Sequence, residues 1–240
     1  RDITGRYLMG NLTTSTTTVS WSDSRQGMRI PSSSGGLRAE SQQSTATLLP
    51  LLSSEFTLEF FFNSPNNLGS TSLLIAGFGT WAAGTPFASC DASNSTLEGG
   101  WRLYSDLGPN IVFEGVMSVS GVPTCRTVGV SITVSSLRHL IVRARNGALS
   151  MVTHGSSQSD PEPTLQFSPA LWMRYPAHLT IANPHPMSGW TGTMYMIAMY
   201  DRFIEHTEIA ANRVFGPPNS RPVTTPSLSI PEDETVALYP

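Results

Sequence analysis

Apolar and polar positions alternate along much of the chain, and the period is two. Between residues 56 and 63, Phe56, Leu58, Phe60 and Phe62 fall on one face and Thr57, Glu59 and Phe61 on the other, which predicts a strand with one face in a core. Over residues 190–200, Trp190, Gly192, Met194, Met196, Ala198 and Tyr200 share one face and Thr191, Thr193, Tyr195, Ile197 and Met199 the other. Both faces are apolar from Tyr195 onward, so this stretch predicts a central strand buried between stacked sheets. Further strands are expected over 6–9, 19–21, 27–30, 36–39, 72–78, 101–105 and 111–116, then 127–134, 137–145, 149–153 and 177–182. The segments 127–134, 137–145 and 149–153 read as a meander, its last turn marked by Asn146-Gly147. Pro50 inside the apolar run 48–52 suits an edge or a crossing loop.

The alternation breaks at Asp201-Arg202, a pair expected to fix the corner between strand and helix. Thr207 then reads as the N-cap of a short amphipathic helix over 208–215, stopped by Gly216-Pro217. That helix, about two turns long, would lie as a lid on an otherwise all-β fold. Beyond it, 217–226 carries four prolines and reads as a stiff linker, and 227–240 as the first strand of a following module.

Composition narrows the classes. Charged residues make up 13% of the chain, against roughly 25% in an average soluble protein. All 14 basic residues are arginines scattered along the sequence, which leaves no basic footprint for nucleic acid. No apolar run approaches the ~20 residues that span a bilayer, and no signal peptide opens the chain, so it reads as a segment of a longer protein without membrane insertion. The two cysteines, Cys90 and Cys125, sit in loop-like surroundings, one of them in the long excursion 79–100, and predict a disulfide formed in an oxidising compartment. The glycosylation sequons at Asn11 and Asn94 fit the same extracellular setting.

Several segments together resemble the laminin-G-like, concanavalin A-like jelly rolls. The closing segment Gly189-Trp190-Thr191-Gly192 leads through a hydrophobic strand into Tyr200-Asp201-Arg202 and a short helix. Upstream, 54–62, 72–78, 136–144 and 177–182 are similar to that family's successive strands in order and spacing. Where relatives have a Tyr-x-Asp-Gly hairpin this chain has Met151-Val152-Thr153-His154-Gly155, so a role carried by that aspartate is absent. The resemblance implies a two-sheet antiparallel sandwich over 1–216. The segment 227–240 resembles the opening of a cadherin-like or immunoglobulin-like module, which implies neighbouring modules of the same chain as partners.

Chemistry is sparse. Family-16 glucanases share this jelly roll and carry Glu-x-Asp-x-x-Glu on one strand face. Here the nearest pair is Glu55 and Glu59, with no aspartate between them, and it reads as a solvent-facing strand edge. No nucleophile elbow and no cysteine beside a histidine occurs. His139, His154, His178, His185 and His206 lack zinc-ligand spacing, and His139 reads as a half-buried strand residue. The lectin-type relatives imply calcium at a rim, for which Asp91, Asn94, Glu98 and Asp106 offer oxygens. Trp81, Trp101 and Tyr104 are either sugar-stacking rings or core residues. Two readings follow. One is a non-catalytic extracellular adhesion or structural module that contacts proteins or glycans or assembles into a filament. The other is a carbohydrate-binding lectin domain, with or without calcium.

Overall fold

The structure is a computed structural model and describes residues 12–14, 20–21, 27–30, 36–39, 55–63, 73–79, 100–106, 110–132, 137–145, 147–153, 156–161, 165–166, 178–182, 190–216 and 235–238. Their strands form a two-sheet antiparallel sandwich of jelly-roll type. One sheet runs β12 (Ser156–Pro161), β11 (Ala148–Thr153), β10 (Leu137–Arg145), β5 (Phe56–Asn63), β15 (Gly192–Tyr200), β3 (Met28–Ile30) and β2 (Ser20–Trp21). The other runs β1 (Leu12–Thr14), β4 (Gly36–Ala39), β14 (His178–Ala182), β6 (Leu73–Gly79), β7 (Gly100–Ser105), β8 (Asn110–Val119) and β13 (Leu165–Gln166), with β9 (Val122–Ser131) paired to β8.

The alternation in β5 builds the core as expected. Phe56, Leu58, Phe60 and Phe62 point between the sheets and meet Trp101, Leu103 and Phe113 from the other layer. Phe60 and Trp101, and likewise Phe62 and Trp190, meet edge to face with ring centroids 6.0 Å apart, the arrangement favoured by ring quadrupoles.

Strand β15 is central as predicted, but its facing differs. The pairing with β5 slips between Met194 and Met196, a β-bulge. Met194 therefore faces the core with Ile197 and Met199, while Met196, Ala198 and Tyr200 face the outer side of the sheet. A single extra residue reverses the alternation, so the period-two faces drawn from the sequence are wrong beyond Met194.

Three other expectations are corrected. β9 pairs along its length with β8, opposite the sheet that holds β10, so 127–134 is no arm of a meander with 137–145. The β8–β9 hairpin turns through Ser120 at φ 53° and Gly121 at φ 81°, a two-residue connection whose positive φ values match strand twist. Cys125 lies within β9, not in a loop. Finally, β16 (Thr235–Leu238) pairs antiparallel with β15, from Ile197 opposite Leu238 to Tyr200 opposite Thr235. These four residues belong to this sheet, whereas the sequence assigned them to a following module; 217–226 lies outside the described residues.

The helix α1 (His206–Phe215) starts two residues earlier than expected. Glu205 is the N-cap, without a side-chain cap bond, and Thr207 lies inside the first turn. Ten residues make nearly three turns. Gly216 ends it at φ 68°, its N–H donating to the Asn212 carbonyl at 2.9 Å, a positive-φ stop that glycine adopts at low cost.

Candidate functional site

Two polar constellations stand out, one sealed and one open. The sealed one lies between α1 and the outer face of the β10–β5–β15 sheet. Because β5 is flanked by β10 and β15, the outward residues of the three strands line up: Glu59 sits opposite Ile141 and Ala198, and Phe61 opposite His139 and Met196. Phe61, Ile141, Val152, Met196, Ala198, Tyr200, Ile204 and Ile209 make a second apolar cluster here, capped by the helix.

Glu59 lies inside that cluster with 1% of its surface exposed. The Tyr200 hydroxyl donates to its Oε2 at 2.5 Å, Asn212 Nδ2 donates to both oxygens at 3.2 and 3.3 Å, and His139 Nε2 lies 2.6 Å from Oε1. With His139 donating from Nε2, its buried Nδ1 is left as an acceptor without a hydrogen-bond partner among the described residues. That costs less than an orphaned donor would in a charged ring. The His139 ring stacks on Phe61 at 4.2 Å and 13°. Glu59 is therefore no solvent-facing edge, and His139 is buried, not half-buried. The sequence missed both because the helix that covers them, His206–Phe215, lies far downstream of each, 153 residues from Glu59 at Asn212.

Around this centre the strand-to-helix corner is pinned. Thr57 Oγ1 donates to the Arg202 carbonyl at 2.8 Å and accepts from the Ile204 N–H at 3.1 Å. Arg202 forms a two-pronged pair with Glu208 at 2.8 and 2.5 Å, so Arg202 does fix the corner, with a helix residue as partner. Arg143 donates to the Ile204 carbonyl, reaches His206 Nε2 at 2.9 Å and stacks on Phe203. Burial holds the Arg143 pKa below its ordinary value, partly opposed by Glu205.

The open constellation is a shallow polar groove of about 420 Å³ where the β7–β8–β9 edge meets β12. Asp106, Asn110, Val112, Gly129, Ser131 and Gln158 are among the residues that line it. Asn110 opposite Ser131 and Val112 opposite Gly129 form two rows on one face of β8 and β9, with Ile111 opposite Val130 between them. Ser131 Oγ donates to Asn110 Oδ1 at 2.7 Å, and the Asp106 N–H donates to the Asn110 carbonyl at 2.9 Å. A Cβ on Gly129 would come within 3.3 Å of Val112 Cγ2 and the Ile111 carbonyl, so glycine leaves bare backbone on the floor.

Tyr104 is the cross-strand partner of Val112 and continues that row. It is half-buried, with the Arg102 guanidinium 4.9 Å from its ring centre. Burial, then the Glu114 carboxylate, raise its pKa, with Arg102 opposing and Asp106 adding to the rise. The phenol is thus a neutral donor at physiological pH. Arg102 is committed to a buried ion pair with Glu114, and Cys125 Sγ lies 3.2 Å from Glu114 Oε1.

Of the residues singled out from sequence, Tyr104 and Asp106 are brought to this groove or beside it. Trp101 is not: it is 1% exposed in the inter-sheet core against Phe60 and Phe113 and offers no ring face to a sugar. Trp81, Cys90, Asn11, Asn94, Asp91 and Glu98 lie outside the described residues. Among the described residues no group of three or more His, Cys, Asp or Glu is placed to hold a metal. Asn110, Ser131 and Gln158 were missed: Asn110 and Ser131 are polar residues at strand ends and Gln158 an exposed polar residue within β12, and none of them carries a spacing signal.

No family model matches the chain, and no curated protein matches it in sequence. In fold it is similar to the CBM40 of the Ruminococcus gnavus IT-sialidase, with TM-score 0.54 and 12% identity over 77% of this chain and 95% of that one. The same module solved bound to α2,3 sialyllactose gives TM-score 0.52 at 10% identity, over 77% of this chain and 95% of that one. A leech intramolecular trans-sialidase gives TM-score 0.54 and 12% identity over 79% of this chain and 27% of that one. A Trypanosoma rangeli sialidase mutant displaying trans-sialidase activity gives 0.51 and 14% over 83% and 28%. The chain thus spans little more than a quarter of the two sialidases. At these identities the likeness is one of fold.

Proposed function

We propose that the domain is a non-catalytic glycan-recognition module of an extracellular protein, within the laminin-G-like branch of the jelly rolls. The observation that carries this reading is the open groove. Its volume of about 420 Å³ falls in the range of roughly 300–1,000 Å³ typical of small-ligand sites. Its amide, hydroxyl and carboxylate groups suit a ligand covered in hydroxyls. The R. gnavus CBM40, nearly all of whose length this chain covers, was solved with sialyllactose, which supports a sugar as the ligand class.

The non-catalytic part of the reading is supported by Glu59. The strongest grouping of acid, base and phenol among the described residues is buried and saturated with donors, where no substrate reaches it. The extracellular setting rests on the expected Cys90–Cys125 disulfide and the sequons at Asn11 and Asn94. Adhesion through neighbouring modules or filament assembly is the wider use into which such a module fits.

A glycan array with and without a chelator tests the reading. Binding that is weakened by Asn110→Ala supports it, and loss on chelation would add calcium as a cofactor. A chain that binds no glycan would leave protein contacts as its role. Alkylation of the native protein should find neither cysteine reactive; two labelled thiols would remove the disulfide and the main argument for the compartment.

A further inference from the structure

We infer that the groove selects neutral, hydroxyl-rich sugars over acidic ones, an inference that rests on the glycan-binding reading above. Among the described residues Asp106 is the only charged side chain that lines it, and its sign is negative. Asn110 and Gln158 each bring a donor and an acceptor, and Ser131 a hydroxyl, groups that pair with sugar hydroxyls in either direction. A carboxylate accepts from sugar hydroxyls in charge-assisted bonds.

An acidic sugar asks for the opposite surface. Carboxylates are held by arginine forks or clustered N–H donors, and among the described residues no arginine lines the groove. The arginine beside it, Arg102, is tied to Glu114 in a buried pair and stacked on Tyr104. Burial first, then Glu114 and Asp106, hold the proton on the neighbouring Tyr104 hydroxyl, with Arg102 opposing them. The apolar part of the surface is the Val112–Gly129 row, a flat strip on which the C–H face of a pyranose can rest without meeting a side chain at Gly129. Preference for a neutral sugar separates this chain from the R. gnavus module, which was solved with sialyllactose.

The test is a titration of the whole 240-residue protein against matched neutral and sialylated oligosaccharides, lactose and α2,3 sialyllactose among them, after an array has ranked the neutral sugars. Sialylated forms should bind at least about tenfold more weakly than their neutral counterparts, a difference near 1.4 kcal/mol. Asn110→Ala and the exposed-strand variant Gln158→Ala should each weaken neutral binding severalfold, and Asp106→Asn should narrow the gap between neutral and sialylated forms. Tighter binding of sialylated forms overturns the inference and leaves glycan recognition standing. So does neutral binding untouched by Asn110→Ala and Gln158→Ala, which would place the sugar elsewhere. Failure to bind any glycan overturns the inference through the reading beneath it.

Discussion

Burial of the Glu59 carboxylate is offset only because three side chains from three other elements converge on it: His139 from β10, Tyr200 from β15 and Asn212 from α1. Removing one member of such a set leaves the others buried and unsatisfied, so Glu59→Ala should lower stability by about 3–5 kcal/mol. Asn212→Ala, which keeps two donors on the carboxylate, should cost about 1–3 kcal/mol. The contrast is Arg145, whose pair with Glu205 is largely solvated, at 36% and 56% side-chain exposure; Arg145→Ala should cost no more than about 1 kcal/mol. Urea unfolding midpoints at constant slope measure all three. A Glu59→Ala protein as stable as Arg145→Ala would mean that the carboxylate network does not hold the helix down. None of this was visible in sequence, because Glu59 occupies an outward position in a clean alternation and such positions usually meet solvent. The available hint was its neighbour Phe61, an aromatic on the same face that would itself need cover.

Among the elements, legibility followed pattern strength. β5 was readable in its bounds and its inward face, since its four inward side chains are large and its neighbours alternate with it, while the cover over its outward face was not. β15 was readable as central but not in its facing: both of its faces are apolar, so the bulge at Met194–Met196 left no trace in the hydrophobic pattern. The start of that strand is tightly specified. A Cβ on Gly192 would lie 2.3 Å from the Trp190 ring and 2.4 Å from the Asn63 carbonyl, and both neighbours are fixed, Trp190 in the core and Asn63 in β5. Gly192→Ala should therefore destabilise the domain by about 1–3 kcal/mol, the range seen when packed sites are overfilled. The shift in thermal midpoint reports it; an unchanged midpoint would show that the Trp190 ring can move aside, and that the tight approach is not a constraint on the fold. For the groove, by contrast, only Tyr104 and Asp106 had been marked. It forms where strands from two sheets approach at an edge, and that juxtaposition of residues 106–131 with 157–158 is set by topology, not by local pattern.

At the scale of the molecule, the C-terminal strand decides where this domain ends. The prolines of 217–226 and the motif-like 227–238 predicted a new module after Gly216, and that expectation makes residues beyond 216 dispensable to the sandwich. The observed pairing of β16 with Ile197–Tyr200 implies the reverse. β15 carries β5 on one side, and on the other it carries β3 only along Gly192–Met194. Without β16 its second half would present open N–H and C=O groups on one edge, beside side chains that seal both the core and the Glu59 cluster. Such an edge is a site for exchange, proteolysis or pairing with another chain. A chain ending at Gly216 should therefore melt lower than the 240-residue protein. Amides of 197–200 directed toward β16 should lose protection from hydrogen exchange, while those directed toward β5 keep theirs. Association of the shortened chain, absent in the longer one, would be the same defect seen at higher concentration. If instead the two proteins melt together and exchange alike, the four-residue ladder contributes nothing, and the boundary drawn from the prolines is the one the domain obeys.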